Sequence, residues 1–178
     1  MIDVEMIKIL REQTGAKIVD CKSALEEADG EGRRALELLK AKAIQSARKR
    51  RSRFTRNGII AYYVHDNLSL GVLVEVCCET STAASTRIFK DFARDVAMHI
   101  AAMKPRYVAE NDVPSNEIES LRGDELHAFY GQSLLMNQAY YKDPTRCVQD
   151  VLLEVIARLR ENVTIKRFVR FEADKSDE

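Results

Sequence analysis

Residues 58–78 read GIIAYYVHDNLSLGVLVEVCC, and this stretch decides the fold class. Ile59 to His65 and Gly71 to Cys78 are runs of β-branched and aromatic residues. Between them Asp66-Asn67-Leu68-Ser69-Leu70 carries turn chemistry, so the spacing predicts two strands joined as a hairpin. Everything upstream has a different period. From Val4 to about Lys40 the apolar residues recur at helical spacing: Met6, Ile7 and Leu10, then Val19, Ala24, Leu25 and Ala28, then Ala35, Leu36, Leu38 and Leu39. Thr14-Gly15-Ala16 and Asp29-Gly30 interrupt the runs. Three short helices with tight connections make a bundle of about 40 residues, near the lower limit for independent folding and better suited to docking than to catalysis.

Downstream of the hairpin, Phe89, Phe92, Val96, Ile100 and Met103 predict one helix from about Thr82 to Met103, ended by Pro105. Asp112-Val113-Pro114 opens a further helical region, extended through residues 116–141. Asp143-Pro144-Thr145 reads as the start of another helix, whose stripe is Val148, Val151, Leu152, Val155, Ile156 and Leu159. Val163, Ile165, Val169 and Phe171 alternate with polar residues as a half-buried strand. The chain is therefore expected to be α+β: a three-helix unit (1–45), a basic linker (46–57), a core of antiparallel sheet against helices (58–173) and a polar tail (174–178).

The 178 residues are 46% hydrophobic and 31% charged, which suits a globular protein with one modest core and a satellite unit. Twenty-eight basic residues balance 28 acidic ones, so no net field marks the whole molecule for nucleic acid or an anionic membrane. The basic residues do cluster locally. Arg48, Lys49, Arg50, Arg51, Arg53 and Arg56, with Phe54 the one aromatic among them, fit either phosphate contacts to RNA or a solvated connector, and the connector is the simpler reading.

Cys21, Cys77, Cys78 and Cys147 have neither metal-ligand spacing nor the density of a disulfide scaffold, which fits a reducing compartment. His65, His99 and His127 belong to no short ligand or catalytic motif, and no glycine-rich phosphate loop is present. The chain is expected to be no enzyme and to bind no metal, cofactor or guanine nucleotide of its own. MIDVEMIKILREQTG has no long apolar core after a basic start, so a cytoplasmic or organelle-matrix setting is expected rather than secretion or membrane insertion.

Two stretches match something specific. Leu10-Arg11, Thr14-Gly15, Ile18, Asp20, Lys22 and Ala24-Leu25 fall at the spacing of the amino-terminal signature of elongation factor Ts. Glu75-Val76-Cys77-Cys78-Glu79-Thr80 resembles the start of that family's second signature, the strand ending in Glu-Thr-Asp-Phe-Val. Residues 92–107 and 166–172 look like the short, single-core form of the factor, and the resemblance is weakest over 116–141.

The resemblance implies a ubiquitin-associated-like three-helix domain, a linker and a core that sits beside the nucleotide domain of elongation factor Tu. By the same resemblance Arg11, Ile18 and Val19 are partner contacts, as are Glu79, Thr80, Ser81 and Thr82 at the second signature. No cofactor belongs to such an exchange factor. Short family members carry one core unit where longer ones carry two, so a homodimer is expected by analogy, with Val169 and Phe171 either at its interface or simply buried in the sheet. Two departures matter. Ser81-Thr82-Ala83 stands where the family has Asp-Phe-Val, and Lys17 stands where a glycine is usual. The Phe is thought to wedge into the partner near its magnesium site, so the alternatives to an exchange factor are a Tu-binding stabiliser and an RNA-binding protein using Arg48 to Arg56.

Overall fold

A computed structural model of the chain describes residues 3–173. They divide at Arg50/Arg51 into two compact units. The expected polar tail lies outside the described residues.

The first unit is α1 (Val4–Thr14), α2 (Ile18–Glu27) and α3 (Gly32–Arg50). Asp3 starts α1 by accepting a hydrogen bond from Glu5 N at 3.0 Å, and Gly15 ends it at φ 64, in the left-handed region that glycine enters without steric cost. The core is built from Leu10, Cys21, Ala24, Leu25, Ala28, Ala35 and Leu39. Burial of Cys21 pushes its thiol pKa up, as expected of an inert packing residue. The third helix is longer than its apolar stripe suggests. Residues 46–50, read from sequence as the beginning of a linker, continue α3 to Arg50 because Ala, Lys and Arg are good helix formers. Arg48, Lys49 and Arg50 occupy its last turn, where cations offset the helix dipole.

The second unit carries a three-stranded antiparallel sheet, β1 (Asn57–Val64), β2 (Leu70–Cys78) and β5 (Val163–Glu172), in the order β1-β2-β5. Asn67 shapes the hairpin turn by accepting from Ser69 N at 3.1 Å and from Ser69 Oγ at 2.8 Å. Gly58 pairs with Cys77, and a Cβ there would fall 2.4 Å from Val76 O. Only glycine fits that approach. One face of the sheet, with Val72, Val74 and Val76, is buried with Phe89, Phe92, Ala93, Val96, Ala97 and Ile100 of α5 (Arg87–Met103). The helix α8 (Val148–Leu159) adds Leu152, Leu153, Val155 and Ile156.

Several sequence expectations need correction. The helix expected from Thr82 is broken: α4 (Ser81–Ser85) stops at Thr86, which lies in extended conformation and caps α5 by accepting from Phe89 N at 3.3 Å. Residues 116–141 hold two helices rather than one, α6 (Ser115–Ile118) and α7 (Gly123–Ser133), followed by β3 (Ala139–Tyr140). Asp143-Pro144-Thr145 lies in β4 (Asp143–Cys147), which pairs with β3, and does not start α8. Asp143 accepts from Thr145 N and Oγ1 in a turn that imitates a helix cap, whereas Cys147 is the true cap, held by Asp150. Met103, on the apolar stripe that predicted the helix, is 41% exposed.

β5 departs from its expected pattern most. Glu75 pairs with Arg167 and Val76 with Ile165, leaving Lys166 as an extra residue, and such a bulge swaps the faces beyond it. Val163 and Ile165 are buried, but Val169 and Phe171 point to the other side, 40% and 67% exposed. They lie there with Ile60, Tyr62, Val64 and Leu73, all exposed.

Candidate partner-binding site

The residues expected to contact a partner fall into two groups, one in each unit. In the first unit, Ile18 and Val19 open α2. The same helix spends Cys21, Ala24 and Leu25 on the core, so Val19 falls on the opposite face, while Ile18, three positions before Cys21, sits at the edge of the buried stripe on the first residue of the helix. Ile18 is 55% and Val19 75% exposed. Arg11, exposed in the last turn of α1, precedes the Gly15 turn, whose N–H donates to Arg11 O at 2.7 Å. Thr14 Oγ1 donates to Leu10 O at 2.6 Å and accepts from Ala16 N at 3.2 Å, fixing the route from α1 to α2. Lys17 brings no backbone strain: it stands at the N-cap of α2 at φ −69, an ordinary extended conformation, with no side-chain cap bond, and Gly15 supplies the positive φ of this turn.

In the second unit, Glu79 and Thr80 form the turn between β2 and α4, and Ser81 and Thr82 open α4. Thr80 caps α4 by accepting from Ala83 N at 3.2 Å. Its own groups are held from across the core: Thr80 N donates to Glu161 Oε2 at 3.0 Å and Thr80 Oγ1 to Glu161 Oε1 at 2.7 Å. Glu79 accepts from Asn162 N at 2.6 Å and lies 3.4 Å from Arg53. Cys78 Sγ donates to Thr80 O at 3.1 Å, and burial pushes that thiol's pKa up. The turn is therefore braced on both sides. Ala83 and Ala84 anchor α4 in the core while Ser81 and Thr82 stay exposed on its first turn. Thr82 presents only a methyl and a hydroxyl outward.

Sequence reasoning chose these residues but missed what holds them. Glu161 and Asn162 lie some eighty positions from the turn they brace, and no local pattern marks them. Among the described residues no group of three or more His, Cys, Asp or Glu could hold a metal ion, and no helix is long and apolar enough to cross a membrane. His99 is fully buried: its Nε2 faces Gln138 Oε1 at 3.0 Å and its Nδ1 accepts from Tyr141 N at 3.3 Å, so the neutral ring donates through Nε2. Burial holds its pKa below the usual histidine range, opposed by the Gln138 hydrogen bond.

A family model, elongation factor TS, matches residues 41–125. Over 97% of its length the chain is 42% identical to elongation factor Ts of Carboxydothermus hydrogenoformans, covering 89% of that protein. The chain belongs to the elongation factor Ts family. Elongation factor Ts of Thermotoga maritima is 41% identical over 96% of each chain, and that of Thermoanaerobacter sp. is 38% identical over 97% of this chain and 95% of its own. Membership places the chain among the translation elongation factors of protein biosynthesis. The alignment with the Carboxydothermus elongation factor Ts runs over 193 positions, more than this chain has residues, so the two sequences differ by insertions as well as substitutions.

Proposed function

We propose that this chain binds elongation factor Tu in the cytoplasm or an organelle matrix and promotes release of its GDP, using contact energy and no covalent chemistry. The observation that carries this reading is the exposed Ile18-Val19 pair, which falls on the family's first signature and which the three-helix core does not need. Arg11, one turn before the Gly15 bend, supplies a cation for the same partner. The braced Glu79-Thr80-Ser81-Thr82 turn supplies a rigid second contact. Exchange works by coupling: the factor favours the empty form of the GTPase over the GDP-bound form, and the nucleotide is weakened reciprocally. Catalytic amounts of the chain should speed release of fluorescent GDP from elongation factor Tu in stopped flow. An unchanged release rate at saturating chain rejects exchange activity.

The exposed Thr82 favours a second reading, in which the chain holds elongation factor Tu as a stabiliser with weak exchange. Stable co-purification with little acceleration of GDP release would select it. Binding of RNA through Arg48 to Arg56 has less support, because Arg53 is already paired with Glu79.

A second copy of the chain is the proposed occupant of the outer sheet face. Ile60, Tyr62, Val64, Leu73, Val169 and Phe171 are 40–70% exposed there, and a sheet face of this composition is normally covered. Sedimentation of the native chain should give a dimer, and Tyr62→Asp with Phe171→Asp a monomer. A native monomer at tens of micromolar would refute the pairing.

A further inference from the structure

We infer that Phe54 is an aromatic anchor with which the second unit engages elongation factor Tu, inserting into an apolar pocket that carries acidic groups at its rim. This rests on the proposed engagement of that GTPase and adds a contact to it. Phe54 is 83% exposed, the largest exposure of any bulky apolar side chain among the described residues. An isolated exposed ring is ordinary on a protein surface. What sets this one apart is the loop that presents it.

Residues 51–56 form no helix or strand before β1 begins at Asn57, yet the segment is tied to the core on both sides of the ring. The buried Asn162 donates through Nδ2 to Arg51 O at 3.1 Å and to Arg53 O at 2.7 Å. Thr55 Oγ1 and Thr164 Oγ1 share a hydrogen bond at 2.8 Å, and Asn57 Nδ2 donates to Glu79 O at 2.7 Å. Arg53 reaches the Glu79 carboxylate. A loop fixed at this many points has little backbone freedom left to lose on binding, so ring contacts made from it convert into affinity with a small ordering penalty. Aromatic anchors on rigid supports are the residues that dominate interface energetics.

The position of the loop names the partner. Glu79, which accepts from Asn162 and Arg53, directly precedes the Thr80 turn, and Glu161 clamps that turn. Phe54 therefore stands at the same corner of the core as Ser81 and Thr82, where the family's own ring is absent. Arg51 and Arg56 flank it and are exposed, which suits an acidic rim. A nucleic-acid strand suits the corner less well: Arg53 is neutralised, two carboxylates sit beside it, and stacking platforms offer successive aromatics rather than one.

The test is titration of the full chain against elongation factor Tu in its nucleotide-free form. Phe54→Ala should weaken binding about thirty-fold or more, while Phe54→Trp, which keeps an aromatic face, stays within about threefold; both should melt like the native chain because the ring is exposed. Arg51→Glu with Arg56→Glu should weaken binding as well. If the native chain binds and Phe54→Ala binds equally well, the anchor is overturned and the functional reading stands. A native chain that does not bind at all overturns both. Loss of single-stranded RNA retention by Phe54→Ala, with affinity for the GTPase unchanged, would overturn the anchor in favour of nucleic-acid stacking.

Discussion

Replacing Thr82 with phenylalanine, together with Ser81→Asp, tests whether the second contact of this chain lacks only a ring. Both positions are exposed on the first turn of α4, and neither side chain helps to hold the turn, which depends on Thr80, Glu161 and Glu79. The double variant should therefore fold with little change in stability, since helix propensity differs by a few tenths of a kcal/mol at most between the residues exchanged at position 82. A phenyl ring taken from water into a pocket removes about 150–250 Å² of surface. At ~25 cal/mol per Å² that sets an upper bound of about 4–6 kcal/mol. Ordering and desolvation reduce such figures, and about 2 kcal/mol is a typical measured value for an anchor residue, or about thirty-fold. The aspartate at the first helical position adds ~0.3–1 kcal/mol with the helix dipole, offset by its proximity to Glu79 and Glu161. If the ring acts only on the emptied GTPase, the gain appears as faster GDP release at saturating chain, read by stopped flow against the native protein. A variant that binds more tightly to the GDP-bound and empty forms alike, with no change in release rate, would show that a ring at Thr82 carries no coupling, and the missing-ring argument would fail.

Gly58→Ala should destabilise the core by about 1–3 kcal/mol in urea unfolding, since the new Cβ would lie 2.4 Å from Val76 O and 2.9 Å from Cys77 Cα; a wild-type midpoint would contradict that geometry. His99 gives a pH signature. Its folded pKa is depressed by burial, so the stability it contributes is complete above the unfolded histidine value of about 6.5 and declines as pH falls from there through the folded value, where the unfolded chain binds the extra proton. His99→Gln should flatten that decline in denaturant titrations between pH 7 and 5, leaving only the contribution of other groups, and an unchanged slope would assign the effect elsewhere.

The elements with a clean period were legible in the sequence. The three N-terminal helices show their stripes, the first two show their glycine stops at Gly15 and Gly30, and the hairpin shows two apolar runs around a polar turn. What escaped was set by contacts between distant residues. At the bulge Glu75 pairs with Arg167 while Val76 pairs with Ile165; Arg167-Phe168 breaks the apolar alternation there, a local sign that the run Val163, Ile165, Val169 and Phe171 passes over. Ile59 to Val64 are apolar at every position, which reads as a strand covered on both sides, whereas Ile60, Tyr62 and Val64 are exposed. Asp143 imitated a helix cap with the same Asx hydrogen bonds that make a cap. The first-signature residues were readable because Thr14-Gly15 fixes a local turn beside them. The bracing of the second by Glu161 and Asn162 was not, since it spans some eighty residues of sequence.

Under the proposed function, binding and exchange would draw on different parts of the chain. Contacts from Arg11, Ile18 and Val19 that are made equally to the GDP-bound and empty forms raise both affinities and leave their ratio untouched, however strong they are. Only a contact that exists in one form moves the ratio, and it moves the affinity for GDP by the same factor in the opposite direction. The Glu79-Thr80 turn is clamped by Glu161 and Asn162, just before β5, so under the proposed function it would meet either form in one shape. Rigidity of that kind selects for the form with room to receive it. How strongly it selects depends on how much side chain projects beyond the clamp, and at Thr82 that is three heavy atoms after Cβ is counted. Asn162 of the same clamp also holds the loop that carries Phe54, so under the proposed function the corner, rather than either residue alone, would be the unit on which coupling depends.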